Sequence, residues 1–297
     1  LLGLIGAGIA RSLTPAMHVC EARCQGRALH YQLIDLDRSG AGVQDLPLLL
    51  RAAAIIGFSG LNVTYPCKQA ILPLLDEVEP SARAIGAVNT VVLRDGRSVG
   101  HNTDSAGWAW GFRRALPRAD LSRVLLVGAG GAGSAIAHAL HGIGARSIAI
   151  HDADTGRARR LAADLARHGA DAEAVTDLRA AVEAASGLVQ ATPVGMDKLP
   201  GMPLPAEWLH ARLWVAESIY FPLETELVRA ARALGCSVVD GGAMAVGQAL
   251  LAFRLFLGLE PDAERVERHF RRLVAARATA DARAATGSAQ SEAVPAA

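Results

Sequence analysis

The stretch RVLLVGAGGAGSAIAHAL, residues 123–140, decides the fold. A Val/Leu run of strand length leads straight into Gly128, Gly130 and Gly133, spaced G-x-G-x-x-G, and an alanine-rich helical pattern follows at once. In that setting the glycines allow a tight turn, let the backbone approach a pyrophosphate and pack helix against strand. The helix N-terminus adds free N–H groups and partial positive charge. Gly128, Ala129, Gly130, Gly131, Ala132 and Gly133 are therefore candidate cofactor residues. The next strand, SIAIHD, ends on Asp152. That is about 20 residues beyond the last glycine, where a carboxylate accepts ribose hydroxyls and repels a 2′-phosphate. NAD is the expected cofactor; Arg157 and Arg159 lie near enough in sequence to keep NADP open. The plainer reading is a close-packed strand-to-helix turn without a ligand. Gly6 and Gly8 in LIGAGIARSLTP look similar, but Arg11 stands at the third glycine and no helix begins before Pro15. That pair reads as a turn at a substrate site.

Working outward, short apolar runs at 2–6, 29–35, 59–64, 88–93, 123–128, 146–151, 187–191, 212–217 and 236–239 alternate with helical patterns. The helical patterns fall at 15–24, 44–54, 66–75, 81–85, 104–116, 132–142, 155–168, 177–185 and 223–234. Such alternation marks an α/β architecture with parallel sheets. At 297 residues the chain exceeds what one core usually serves. Two domains are expected: an α/β substrate domain over 1–103, completed by C-terminal helices in 240–276, and an inserted Rossmann-type dinucleotide-binding domain over 104–239. Helix 244–257 is apolar on nearly every face and should be buried against the N-terminal domain. Beyond Val274 the apolar face is lost, and residues 277–297 read as a flexible tail.

Thirty Lys and Arg against 29 Asp and Glu argue against duplex nucleic acid or a membrane surface as the main ligand. The opening residues LLGLIGAGIA are far too short to span a bilayer and carry no basic leader pattern, so a soluble cytoplasmic protein acting on a small metabolite is expected. Cys20, Cys24, Cys67 and Cys236 form no CxxC pair and read as free thiols. A helix sets Cys20 and Cys24 on one face with His18 roughly opposite Cys20, so no metal site is expected there.

Five segments put polar residues at strand ends or helix starts: Ser12-Leu13-Thr14-Pro15, Asn62 to Lys68, Gly86 to Thr90, Asn102-Thr103-Asp104 and Met244 to Gln248. Each has an ordinary explanation alone. Thr14 and Asp104 suit helix caps, Asn62 and Asn89 suit turns, and Lys68 suits solvent. Gln248 is harder to dismiss, because an amide within an apolar helix needs a bonding partner.

Together, in this order, these segments closely resemble the shikimate/quinate dehydrogenase family over roughly residues 1–274. RSLTPAMH, GHNTD, YFPLETELVRAARALGC and AFRLFLGLEPD resemble its NAD-preferring quinate/shikimate branch. The resemblance implies that Ser12 and Thr14 hold the substrate carboxylate, while Lys68 and Asp104 serve the reacting hydroxyl. It further implies that Thr64, Asn89, Tyr220 and Gln248 hold the other oxygens, and that Gly241 approaches the nicotinamide. Arg157, Thr192, Pro193 and Met244 join the cofactor side. Cys67, Gln190 and Glu217 depart from the family's usual aromatic residue, Asn and Asp. The implied activity interconverts quinate with 3-dehydroquinate and shikimate with 3-dehydroshikimate, in a monomer or homodimer. An NADP-dependent biosynthetic shikimate or aminoshikimate dehydrogenase is the near alternative. A catalytically silent NAD or metabolite sensor is the distant one.

Overall fold

The structure, a computed structural model, describes the backbone of residues 1–291 and the side chains of residues 1–281. The chain opens with β1 (Leu2–Gly6), α1 (Thr14–Cys24), β2 (Tyr31–Asp35), α2 (Leu36–Ser39), α3 (Leu46–Ile56) and β3 (Gly60–Val63). It continues through α4 (Cys67–Ala70), β4 (Glu77–Val78), α5 (Pro80–Ile85), β5 (Thr90–Arg94) and β6 (Arg97–His101). These strands form one sheet in the order β2-β1-β3-β5-β6-β4, parallel through β2, β1 and β3 and antiparallel from β3 to β5 and β5 to β6. Its central residues Leu2, Ile5, Leu61 and Val91 have no accessible surface, which is why the strands read as apolar on both faces.

Next come α6 (Thr103–Ala115), β7 (Val124–Val127), α7 (Gly131–Gly142), β8 (Ile148–His151), α8 (Thr155–Arg167), β9 (Ala172–Ala174), α9 (Leu178–Ala184) and β10 (Gly187–Gln190). β11 (Trp214–Glu217), α10 (Glu226–Ala233), β12 (Ser237–Val239), α11 (Gly242–Leu257) and α12 (Ala263–Ser291) complete the described chain. The second sheet is wholly parallel, in the order β12-β11-β10-β7-β8-β9. Strand order reverses between β7 and β10, and in such sheets the crevice at that point takes the ligand. The 123–140 stretch lies there, as its pattern requires.

Helices α6 and α11 cross tightly between the sheets. A Cβ at Gly107 would strike the Gln248 backbone, one at Gly247 the Gly107 carbonyl, and one at Gly111 would come within 2.8 Å of Ala243. Small residues let the two backbones touch. Gly107 is about one helical turn after Asp104, so the crossing carries Gln248 to the end of α6 where Asp104 sits.

Several expectations are revised. The helix expected over 66–75 stops at Ala70 and resumes as a single 3₁₀ turn, Leu72–Leu74. Pro73 explains the break, since proline disfavours helical backbone in the residue before it and offers no N–H. The segment 277–291, expected as a tail, is backbone-helical. Alanine and arginine favour a helix even where no apolar stripe directs it inward. Residues 292–297 of that expected tail lie outside the described residues. Among the described residues, no helix is long and apolar enough to cross a membrane, and no group of three or more His, Cys, Asp and Glu is placed to hold a metal ion. All four cysteines are free thiols. His18 is enclosed by Tyr31, Phe253 and Phe256, and burial lowers its pKa to about 3, so its ring is neutral.

Candidate active site

The Lys68 Nζ lies 2.6 Å from the Asp104 Oδ2, joining α4 to the start of α6. Both side chains are largely enclosed, 24% and 10% exposed. The sequence offered Asp104 as a helix cap. That role belongs to Asn102, whose Oδ1 accepts from the N–H groups of Asp104 and Ser105 at 3.1 and 3.2 Å. The Asp104 carboxylate is thereby left to Lys68. Asn102 also donates to the Ala87 carbonyl at 2.9 Å, which fixes the start of α6 against the segment before β5.

Asn89 is turned inward. Its Oδ1 accepts from the Thr103 N–H at 2.7 Å and its Nδ2 donates to the Thr103 hydroxyl at 3.0 Å, beside Thr90. In this geometry Asn89 locks the residue that precedes Asp104. Asn62 accepts from the Tyr31 hydroxyl at 2.7 Å and donates to Thr90 at 3.2 Å, a buried structural network. Gln248 donates to the Ala245 carbonyl at 3.0 Å. Its amide oxygen has no partner among the described residues and remains available as an acceptor.

At the other end of the site, helix α1 begins at Thr14 with Leu13 as its cap residue, and no side chain caps it. The Thr14 hydroxyl therefore does not cap the helix, contrary to the plain reading of its place before Pro15. The Thr14 N–H instead donates to the Ser12 Oγ at 3.3 Å, which holds the two residues together. Nearby, the Asp35 carboxylate accepts from the Gly8 and Ile9 N–H groups, both at 3.1 Å. The early glycine pair is thus closed by the protein's own anion, in keeping with a turn. Thr64 packs its methyl against Gly6, where a Cβ would collide with it.

The loop after β11 carries Tyr220. Buried Glu217 organises it, accepting from the Ser218 and Ile219 N–H groups at 2.9 and 3.0 Å and from the Thr225 hydroxyl at 2.9 Å. Burial pushes the Glu217 pKa up to about 7, against the opposing pull of these three hydrogen bonds. The departure from Asp to Glu is therefore accommodated within the loop. Tyr220 keeps 38% of its surface accessible, yet burial raises its pKa, with Arg277 acting to lower it and Asp104 to raise it. Its hydroxyl is thus within electrostatic reach of both charges.

The glycine-rich loop offers a cradle for a dinucleotide. A Cβ at Gly130 or Gly131 would meet nothing, whereas one at Gly128 or Gly133 would run into backbone. Two glycines thus close the turn and two leave space open. Gly130 caps α7 with no side chain, so the first N–H groups of that helix are free for an anion. Asp152 accepts from the Ala129 N–H at 2.7 Å and the Asp154 N–H at 2.8 Å, which sets its carboxylate beside the loop. Arg157 stands close by, in an exposed pair with Asp154 at 3.4 Å. Across the crevice, Gln190 donates to the Thr192 hydroxyl at 2.9 Å and the Val194 carbonyl at 2.7 Å and accepts from the Thr192 N–H. The longer amide in place of Asn thus braces the loop carrying Thr192 and Pro193. Gly241 is required by packing, because a Cβ there would strike the Ile219 carbonyl; Met244 packs against the second sheet's core.

A glycine-rich turn at a parallel-sheet switch point and an enclosed Lys–Asp pair are the parts that an NAD(P)-dependent oxidoreductase acting on a CH–OH group requires. Residues 4–91 match the shikimate dehydrogenase substrate-binding domain, and residues 112–195 match the shikimate/quinate 5-dehydrogenase family. A shikimate dehydrogenase (NADP(+)) of Streptomyces avermitilis is 55% identical over 90% of this chain and 93% of its own. A quinate/shikimate dehydrogenase (NAD(+)) of Corynebacterium glutamicum is 49% identical over 91% and 97%. The quinate dehydrogenase of Corynebacterium glutamicum in complex with NAD superposes with a TM-score of 0.88 at 48% identity, covering 91% of this chain and 98% of that one. The chain belongs to the shikimate/quinate dehydrogenase family.

Proposed function

We propose that this enzyme prefers NAD and interconverts quinate with 3-dehydroquinate and shikimate with 3-dehydroshikimate. The observation that carries the chemistry is the 2.6 Å Lys68–Asp104 pair, formed between residues 36 apart in sequence, each side chain making no other hydrogen bond among the described residues. Oxidising a secondary alcohol requires removal of the hydroxyl proton; Lys68 takes it at Nζ, and Asp104 orients both Lys68 and the hydroxyl. A bound nicotinamide supplies or accepts the hydride. Gln248, Thr64 and Tyr220 hold the remaining ring oxygens. Asn89 serves through Thr103. The substrate unit is 1–103 with 240–276, and the cofactor unit is 104–239. Steady-state rates with quinate and shikimate, each with NAD and NADP, test the whole reading; an enzyme that oxidises neither acid would end it.

Cofactor preference rests on Asp152. Its carboxylate is held beside the loop, where it accepts a ribose hydroxyl and repels a 2′-phosphate. The unmodified enzyme is expected to have a higher kcat/KM with NAD than with NADP, and Asp152→Ser should move that ratio toward NADP. An unmodified enzyme equally fast with NADP would contradict the assignment. The NADP(+) label of the Streptomyces relative makes this measurement decisive.

The carboxylate end rests on Ser12 and Thr14. Quinate has a tetrahedral C1 bearing a hydroxyl, so its carboxylate leaves the ring at another angle from that of shikimate. Two short hydroxyl side chains tolerate both angles. A hydrogen bond to a charged group is worth about 1.5–3 kcal/mol, so Thr14→Val should lower kcat/KM by about one to two decades. Its thermal midpoint should hardly move, since that hydroxyl does not cap α1. A fall in midpoint with unchanged kinetics would return Thr14 to a structural role.

A further inference from the structure

Helix α12 does more than cover the core. Its course is fixed by Arg265, which donates to both oxygens of buried Glu21 at 2.7 Å, and by Arg271, which pairs with Asp240 at 2.7 and 3.0 Å. Val266 and Phe270 pack beneath it on α1 and α11. Beyond these anchors comes Arg277. Its Nη1 donates to the Arg11 carbonyl at 2.6 Å, and its guanidinium lies 4.0 Å over the Phe221 ring. Arg11 precedes Ser12, on the side of the first sheet; Phe221 follows Tyr220, on the side of the second. One side chain thus bridges the residue before Ser12 and the residue after Tyr220.

The charges there are otherwise matched. Lys68 has Asp104, and Arg11 holds both oxygens of Asp281 at 2.7 and 2.6 Å. Among the described residues Arg277 has no carboxylate within ion-pair distance. Burial, reinforced by the neighbouring Arg11 charge, lowers its pKa from the ordinary arginine value, against the opposing pull of Asp281, Tyr220 and Asp197. Ser12 and Thr14 are neutral, and the Arg11 and Lys68 charges are already paired, so a carboxylate bound to the two hydroxyls alone would lack a cation of its own. Such an anion is costly to bury.

We propose that Arg277 is a specificity-determining residue of the ring-acid site, supplying the positive charge that selects a substrate carboxylate while joining the Arg11–Thr14 loop to the Tyr220–Phe221 loop. This rests on the reading of Ser12 and Thr14 given above.

The test compares ring acids with their uncharged carboxamides. Arg277→Gln removes the charge and keeps a polar side chain, and Arg277→Lys keeps the charge. In the Gln variant, kcat/KM for quinate or shikimate should fall by about tenfold relative to the matching carboxamide, through KM, with kcat within about twofold. The Lys variant should recover most of that loss. An unchanged acid-to-amide ratio in an active Gln variant overturns the role of Arg277 alone. Equal losses for acid and amide overturn it too, leaving only a latch between loops. Inactivity of the unmodified enzyme with both acids overturns this role together with the assignment of the site.

Discussion

Lys68→Ala is expected to bind the ring acid and barely turn it over. A positioned general acid or base contributes about 10²–10⁴-fold, and kcat should fall within that range. The geometry predicts a loss in kcat more than in affinity. Lys68 makes its one side-chain hydrogen bond, to Asp104, while the carboxylate and outer hydroxyls of the substrate are assigned to side chains on α1, on α11 and after β11. Those contacts survive the substitution. An interaction made in the transition state lowers kcat and kcat/KM together and leaves binding nearly intact. The variant also leaves the Asp104 carboxylate enclosed without its partner, a destabilising situation, so a lower thermal midpoint is expected. Binding of the acid should therefore be measured directly, at a temperature where the variant is folded. Near-normal kcat in such a protein would remove Lys68 as the proton carrier and end the mechanism.

How much of this could be read from the sequence follows from the range of the interactions involved. The second sheet was legible in its central strands because β7, β8, β10 and β11 are buried Val/Leu/Ile/Ala runs between helices of ordinary length. β9 was not, since Ala172–Ala174 offers three residues with no β-branched or aromatic side chain. The hairpin β5–β6 was half read. Its second strand, RSVGH, is polar, although Asp95-Gly96 between the strands, both at positive φ, is a strong turn signal that could have revealed it.

The site divides in the same way. The glycines and Asp152 stand in a local pattern, whereas Lys68 and Asp104, which locally suit solvent and a helix cap, were singled out only by the family resemblance of their segments. The residues that position them act across space. Asn102 takes the capping role that sequence offered to Asp104, and Thr103 occupies Asn89. Gln190 and Glu217 were visible as departures, but their bracing of two loops appears only once the loops are folded. Arg277 was hidden altogether, in a segment without an apolar face, because its partners Arg11 and Phe221 are brought to it by α12 and by the loop after β11.

The glycine-rich loop gives the second large effect, in Gly133→Ala. Gly133 lies in the first turn of α7, and a Cβ there would collide with the Gly128 carbonyl oxygen. Neither partner can rotate away, since the obstacle is backbone and Gly128 is itself held at φ 107° against the Ala191 carbonyl. The loop must shift as a whole, taking the free N–H groups of α7 and the Ala129 N–H that meets Asp152 out of place. Overpacking of this kind costs about 1–3 kcal/mol, and a displacement near 1 Å at a site can cost about 10²-fold. NAD affinity, measured by calorimetry, should fall by about 10²-fold or more, and the thermal midpoint of the ligand-free protein should fall with it. Gly131→Ala separates fit from folding. Its Cβ meets nothing in the protein, so the ligand-free midpoint should hold or rise, while the methyl group enters the space assigned to the pyrophosphate and weakens NAD binding. Gly142→Ala, in the last turn of the same helix and equally free of neighbours, should leave NAD affinity unchanged. If Gly131→Ala binds NAD as well as the unmodified protein does, the open space beside it is not where the pyrophosphate lies.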